Sequence, residues 1–167
     1  MGALISRRAL LVGAIAATAA STLAASLYLP GAGPGLRTLS EAELAVVAAA
    51  ALTMFPRGAI PVSGVDAGVP AEVDRILADD LPTIHATGFR YLLRALEWGP
   101  VYSHGARFTQ LDRAQREEVL AIWADPTLLP RRIASDALKM VLGMAYFKHP
   151  AVLDAMGYRQ LCRGSVA

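Results

Sequence analysis

Residues able to do chemistry are thinly spread in this 167-residue chain. It holds three histidines, His85, His104 and His149, and a single cysteine, Cys162. No histidine stands at a metal-ligand spacing from another histidine or from the cysteine, and zinc-finger patterns are absent. One thiol cannot close an internal disulfide, and the Cys-x-x-Cys-His pattern of covalent haem does not occur. Tyr102-Ser103-His104-Gly105 places a hydroxyl beside an imidazole. Adjacent side chains do not generally face each other, so no nucleophile–base pair is read from it. His85 on a helix and His149 beside Pro150 read as structural or solvent-facing. Asp66 reads as a turn residue or a contact near a helix start, and Asp79-Asp80 as a solvated acidic patch. No Gly-x-Gly-x-x-Gly follows a strand, so a dinucleotide fold is not indicated. No catalytic, cofactor-binding or metal-binding residue is assigned.

The elements that would have to position a site begin with a segment that directs the chain elsewhere. Ser6-Arg7-Arg8-Ala9-Leu10-Leu11 resembles the twin-arginine export motif, with Leu10 where phenylalanine is common and Val12 in place of lysine. Twenty-one residues without a charge follow, Ala9 to Leu29. The chain then breaks at Pro30-Gly31-Ala32-Gly33-Pro34-Gly35. A basic start, an apolar middle and a small-residue exit make an export signal. Seven strongly apolar residues there contribute roughly −2 to −4 kcal/mol to insertion, marginal for a permanent anchor. Twenty-one residues are nevertheless long enough to span a bilayer. A cleaved or exported twin-arginine signal and an uncleaved N-terminal anchor therefore both stand, and both place the rest on the periplasmic side of the inner membrane.

The organisation read from the sequence is a signal or anchor over residues 1–30, a Gly/Pro linker over 31–37, a helical domain over 38–160 and a tail over 161–167. Sixteen basic and 14 acidic residues give a net charge of +2, and Arg7 and Arg8 account for the excess. The remainder is neutral, which gives no basic face for nucleic acid. Ser40 with Glu43 forms a capping box, flanked by a Leu39/Leu44 staple, and predicts a helix to about Met54, stopped by Pro56. Leu44, Val47, Ala51 and Phe55 share its apolar face. A second helix opens at Pro70, with Val73, Ile76 and Leu77 inward and Glu72, Asp74 and Asp79 outward. A third runs from Thr83 to Trp98 with Phe89, Leu92, Leu93 and Leu96 as its stripe. A loop through Tyr102 and His104 follows. Asp112 and Gln115 cap a fourth helix whose core side is Val119, Leu120, Ile122 and Trp123. The last long helix, Arg131 to Phe147, carries only Lys139 as a charge after Asp136 and reads as a buried core helix. A short helical piece and Gly157-Tyr158 close the domain. With no alternating strand pattern, the class is all-α, an irregular bundle of about five helices after the N-terminal apolar segment. The large aromatics read by default as core.

The order of these motifs resembles a family. Leu39-Ser40-x-x-Glu43 leads an alanine-rich helix ending Met54-Phe55-Pro56, and Asp66-Ala67-Gly68-Val69 precedes Val73-Asp74-Arg75-Ile76-Leu77. Phe108 and Leu111 stand ahead of Gln115-Arg116 and Val119-Leu120; Tyr146-Phe147 and Gly157-Tyr158 come last. With the twin-arginine motif, this is similar to the gluconate 2-dehydrogenase subunit 3 family over about Thr38 to Tyr158. The resemblance implies a non-catalytic small subunit that exports and stabilises an FAD-dependent oxidoreductase large subunit. Its further partners would be the twin-arginine translocase and, in some complexes, a cytochrome c subunit that takes the electrons. FAD and haem c would then sit in the partners and none in this chain. Ser6, Arg7 and Arg8 would carry targeting. Tyr102, His104, Tyr146, Phe147, Gly157 and Tyr158 are the candidate partner-interface residues. Two other readings remain open: a membrane-anchored binding or structural protein of the envelope, and a free-standing enzyme built on the Tyr102–His104 loop.

Overall fold

Alanines set the centre of the fold. The computed structural model describes residues 29–158; the twin-arginine motif (Ser6, Arg7, Arg8), most of the signal or anchor segment and Cys162 lie outside them. The first helix, α1 (Glu41–Met54), buries Val46, Val47, Ala49, Ala50 and Ala51 together with Glu43 and Thr53. Burial on so many sides is possible because a row of methyl groups lets neighbouring backbones approach closely. α1 accordingly touches α2 (Val69–Asp79), α3 (Thr83–Trp98), a 3-10 turn (Phe108–Gln110) and α5 (Arg113–Trp123). A one-turn helix, α4 (Val101–His104), lies between α3 and the 3-10 turn, where the sequence predicts a loop. α6 (Leu129–Phe147) packs on α2, α3 and α5, and α7 (Pro150–Ala155) folds back on α6. Among the described residues all regular structure is helical.

Local signals explain the boundaries. The Ser40/Glu43 and Asp112/Gln115 capping boxes both form. The α7 exit at Gly157 adopts φ +69°, with Gly157 N–H bonding Asp154 O and Tyr158 N–H bonding Leu153 O, at 3.0 and 2.9 Å. That is a Schellman stop, which favours glycine at this position. Phe108, fully buried, plugs the 3-10 turn into the core beside α1 and α3, a burial worth about 1.5–3 kcal/mol.

The loop between α1 and α2 is held by Asp66. Its carboxylate accepts from the Ser63 amide and hydroxyl and from Arg57, whose guanidinium, ahead of Ser63, holds the Asp66 pKa well below the usual carboxylate range. Asp66 is thus the turn residue the sequence suggests. Gly64 in the same loop passes against the end of α1; a Cβ there would sit 2.6 Å from the Ala51 carbonyl oxygen. Backbone cannot swing aside as a side chain can. Gly64→Ala is expected to destabilise the domain by about 1–3 kcal/mol, read as a lowered urea midpoint with an unchanged slope.

Three expectations about faces are corrected. Asp74 is buried rather than outward, because it serves as acceptor for a chain segment 35 residues earlier. Ile122 is exposed, since α5 buries Val119 and only part-buries Leu120 and Trp123. α6 is not a buried core helix. One face buries Leu138, Val141, Leu142, Ala145 and Tyr146, while Leu129, Ile133, Met140, Met144 and Phe147 lie exposed on the other. Among the described residues no helix is long and apolar enough to cross a membrane.

Candidate functional site

The sequence-selected aromatics separate into core and surface. Tyr146, one of the candidate interface residues, is 2% exposed, in keeping with the default core reading. Its ring stacks on Phe55 with centroids 4.2 Å apart, and its hydroxyl donates to Val62 O at 2.7 Å. Burial pushes its pKa up. It ties α6 to the loop after α1. The next residue, Phe147, turns outward and meets Tyr146 edge-on. Gly157 is the helix stop described above, and Tyr158 beyond it is exposed. The default core reading fails for Trp98, Tyr102, Phe147 and Tyr158, each exposed.

Tyr102 is 99% exposed, held out from a turn whose geometry is fixed on both sides. Pro100 O accepts from the Ser103 and His104 amides, and Gly105 closes the turn in the left-handed region. The Trp98 ring at the end of α3 carries Arg107 over its face at 4.4 Å. Beside Tyr102 opens a cleft of about 750 Å³. Ala95, Val119, Trp123 and Ala134 give it apolar walls; Ser103 and Arg131 are among its polar groups. It lies between the α3–α4 corner, α5 and the start of α6.

The structure also overturns the expectation that Ser103 and His104 do not meet. The imidazole folds back across the short turn, and Ser103 Oγ lies 2.8 Å from His104 Nδ1. Glu118 Oε2 lies 3.6 Å from Nε2. This order of serine, histidine and carboxylate invites comparison with a hydrolytic triad, and three features argue against one. Glu118 is beyond hydrogen-bond distance and 65% exposed, so it orients the ring weakly. The amides of Ser103 and His104 are both occupied by Pro100 O and offer no oxyanion donor. Ser103 Oγ also contacts Pro100 O at 3.4 Å, inside the turn. Ser103 and His104 belong to the turn that presents Tyr102. Among the described residues no group of three or more His, Cys, Asp or Glu is placed to hold a metal ion.

The exposed face of α6 escaped the sequence reading. Leu129, Ile133, Met140, Met144 and Phe147 recur at offsets of four, seven, four and three residues, within an arc of about 60° at roughly 100° per residue. A second apolar stripe, opposite the first, was the available signal. The expectation of a buried core helix takes no account of it.

The described residues form a helical module with exposed aromatic and apolar surfaces. The model of one family, gluconate 2-dehydrogenase subunit 3, matches residues 41–161. The chain belongs to that family, the accessory subunits of gluconate 2-dehydrogenase complexes. No curated protein and no solved structure matches it.

Proposed function

We propose that this chain is the non-catalytic small subunit of an FAD-dependent dehydrogenase acting on gluconate or a related sugar substrate. It travels with the flavin-bearing large subunit to the periplasmic side of the inner membrane and stabilises it there. Electrons from the substrate pass through the large subunit to a cytochrome c or the respiratory chain. The observation that carries this reading is the family match over residues 41–161, nearly the whole helical domain. The sequence around Arg7-Arg8 adds to it, because a twin-arginine route suits a partner that must fold around its cofactor before export. The exposed, turn-mounted Tyr102 and the outer stripe of α6 are surfaces suited to such a partner.

The test is the double substitution Arg7→Lys, Arg8→Lys in cells that also make the large subunit. Both proteins are expected to accumulate in the cytoplasm, and dye-linked dehydrogenase activity is expected to leave the periplasmic fraction. Unchanged export of the large subunit would overturn the escort role.

A further inference from the structure

We infer that the outer face of α6 is the docking site for the large subunit, resting on the accessory-subunit reading above. Leu129, Ile133, Met140, Met144 and Phe147 are 44–63% exposed along one line. The opposite face of the same helix is fixed in the core by Leu138, Val141, Leu142 and Ala145. A helix that is apolar on two opposite faces fits between two bodies; here the domain supplies one of them. The family supplies the reason to expect the second, since its members belong to a complex with other subunits.

Size and chemistry define what fits. A 19-residue helix is about 28 Å long, and a stripe roughly 10 Å wide gives on the order of 300 Å². That matches the apolar centre of an interface burying about 800 Å² on each partner, with a polar rim making up the rest. The two methionines near the middle are unbranched and adapt to an irregular surface. Gly143 lies next to the stripe, and a Cβ there would meet nothing nearer than the Phe147 ring at 4.0 Å, so a partner can come close to the helix. Along one edge run Arg132, Asp136 and Lys139. Arg132 and Asp136 face each other at 3.8 Å, leaving Lys139 as the excess charge. The complementary surface is therefore an apolar groove with an acidic rim. With Arg132 facing Asp136, the edge carries a net charge of only one, which disfavours a lipid surface, since such surfaces select Lys/Arg-rich faces.

The experiment is Met140→Glu with Met144→Glu in the full chain, co-produced with the large subunit and purified through a tag on this chain. Both positions are exposed, so the circular dichroism spectrum and thermal midpoint are expected to match the wild type. Recovery of the flavin-absorbing large subunit is expected to fall about tenfold or more, equivalent to the loss of one strong contact. Ile84→Glu, at a more exposed apolar site on α3, is the control and is expected to leave recovery unchanged. Wild-type recovery by the methionine variant would overturn the docking site while leaving the accessory role standing. A wild-type chain that recovers no large subunit would overturn both. A variant that keeps the large subunit but loses self-association, or binding to anionic vesicles, would assign the stripe to that contact and overturn the proposal.

Discussion

Glu43→Ala is expected to remove about 3–5 kcal/mol of stability and to lower the thermal midpoint by on the order of ten degrees or more. The carboxylate has two duties that meet at one atom. Oε2 accepts from the Ser40 amide and hydroxyl, each at 2.8 Å, closing the first turn of α1. It also accepts from Arg90 Nη2 at 3.0 Å, while Nε lies 3.1 Å from both carboxylate oxygens. The side chains are 4% and 13% exposed, so water does little to screen the pair. Truncation therefore removes a cap and leaves a guanidinium in a site built around an anion. The two contributions separate experimentally. Glu43→Gln keeps an acceptor near Ser40 and loses the charge. Glu43→Gln combined with Arg90→Met should recover part of the loss, because an absent ion pair costs less than a broken one. A double-mutant cycle by thermal unfolding gives the coupling; a value near zero would show that Arg90 does not depend on Glu43.

That residue marks how far the sequence could be read. Ser40 and Glu43 are three positions apart, so the capping box was legible. Arg90 is 47 positions away on another helix, and no local pattern joins it to Glu43. The same division runs through the chain. Helix limits set by Pro56, Gly99-Pro100 and the Asp112/Gln115 box were legible because proline, glycine and caps act within a turn. Faces were legible where a single apolar stripe existed, as in α3 with Phe89, Leu93 and Leu96 buried. They were misread where polarity and burial part company. α6 is apolar on both sides, and periodicity cannot say which side the rest of the domain will cover. Tyr146 and Phe147, adjacent in sequence, end on opposite sides of that boundary. The meeting of Ser103 and His104 depended on a one-turn helix that the glycine and proline around it had disguised as a loop.

Asp74→Ala is expected to cost about 3 kcal/mol or more, a large effect for a residue that composition alone would place in solvent. Its carboxylate accepts three consecutive amides: Arg37 at 2.7 Å on Oδ2, and Thr38 and Leu39 at 2.9 and 2.7 Å on Oδ1. These residues lead into the Ser40 cap of α1, so the side chain on α2 sets how the chain enters α1. It seats Leu39, which is fully buried, and brings Ser40 to its capping position. Burial works against the charged carboxylate, but the amides of Leu39, Arg37 and Thr38 and the charge of Arg37 outweigh it, and the pKa lies below its ordinary value. A lowered folded-state pKa means that the unfolded chain takes up the proton first. The contribution is complete above the unfolded value of about 4 and is lost as pH falls through the folded one. Asp74→Asn keeps one acceptor and the shape but cannot titrate. Its stability should therefore fall less steeply than the wild type's below about pH 4, and urea midpoints across that range measure the difference. Parallel wild-type and Asp74→Asn curves would show that the charge of this carboxylate is not what holds residues 37–39 to α2.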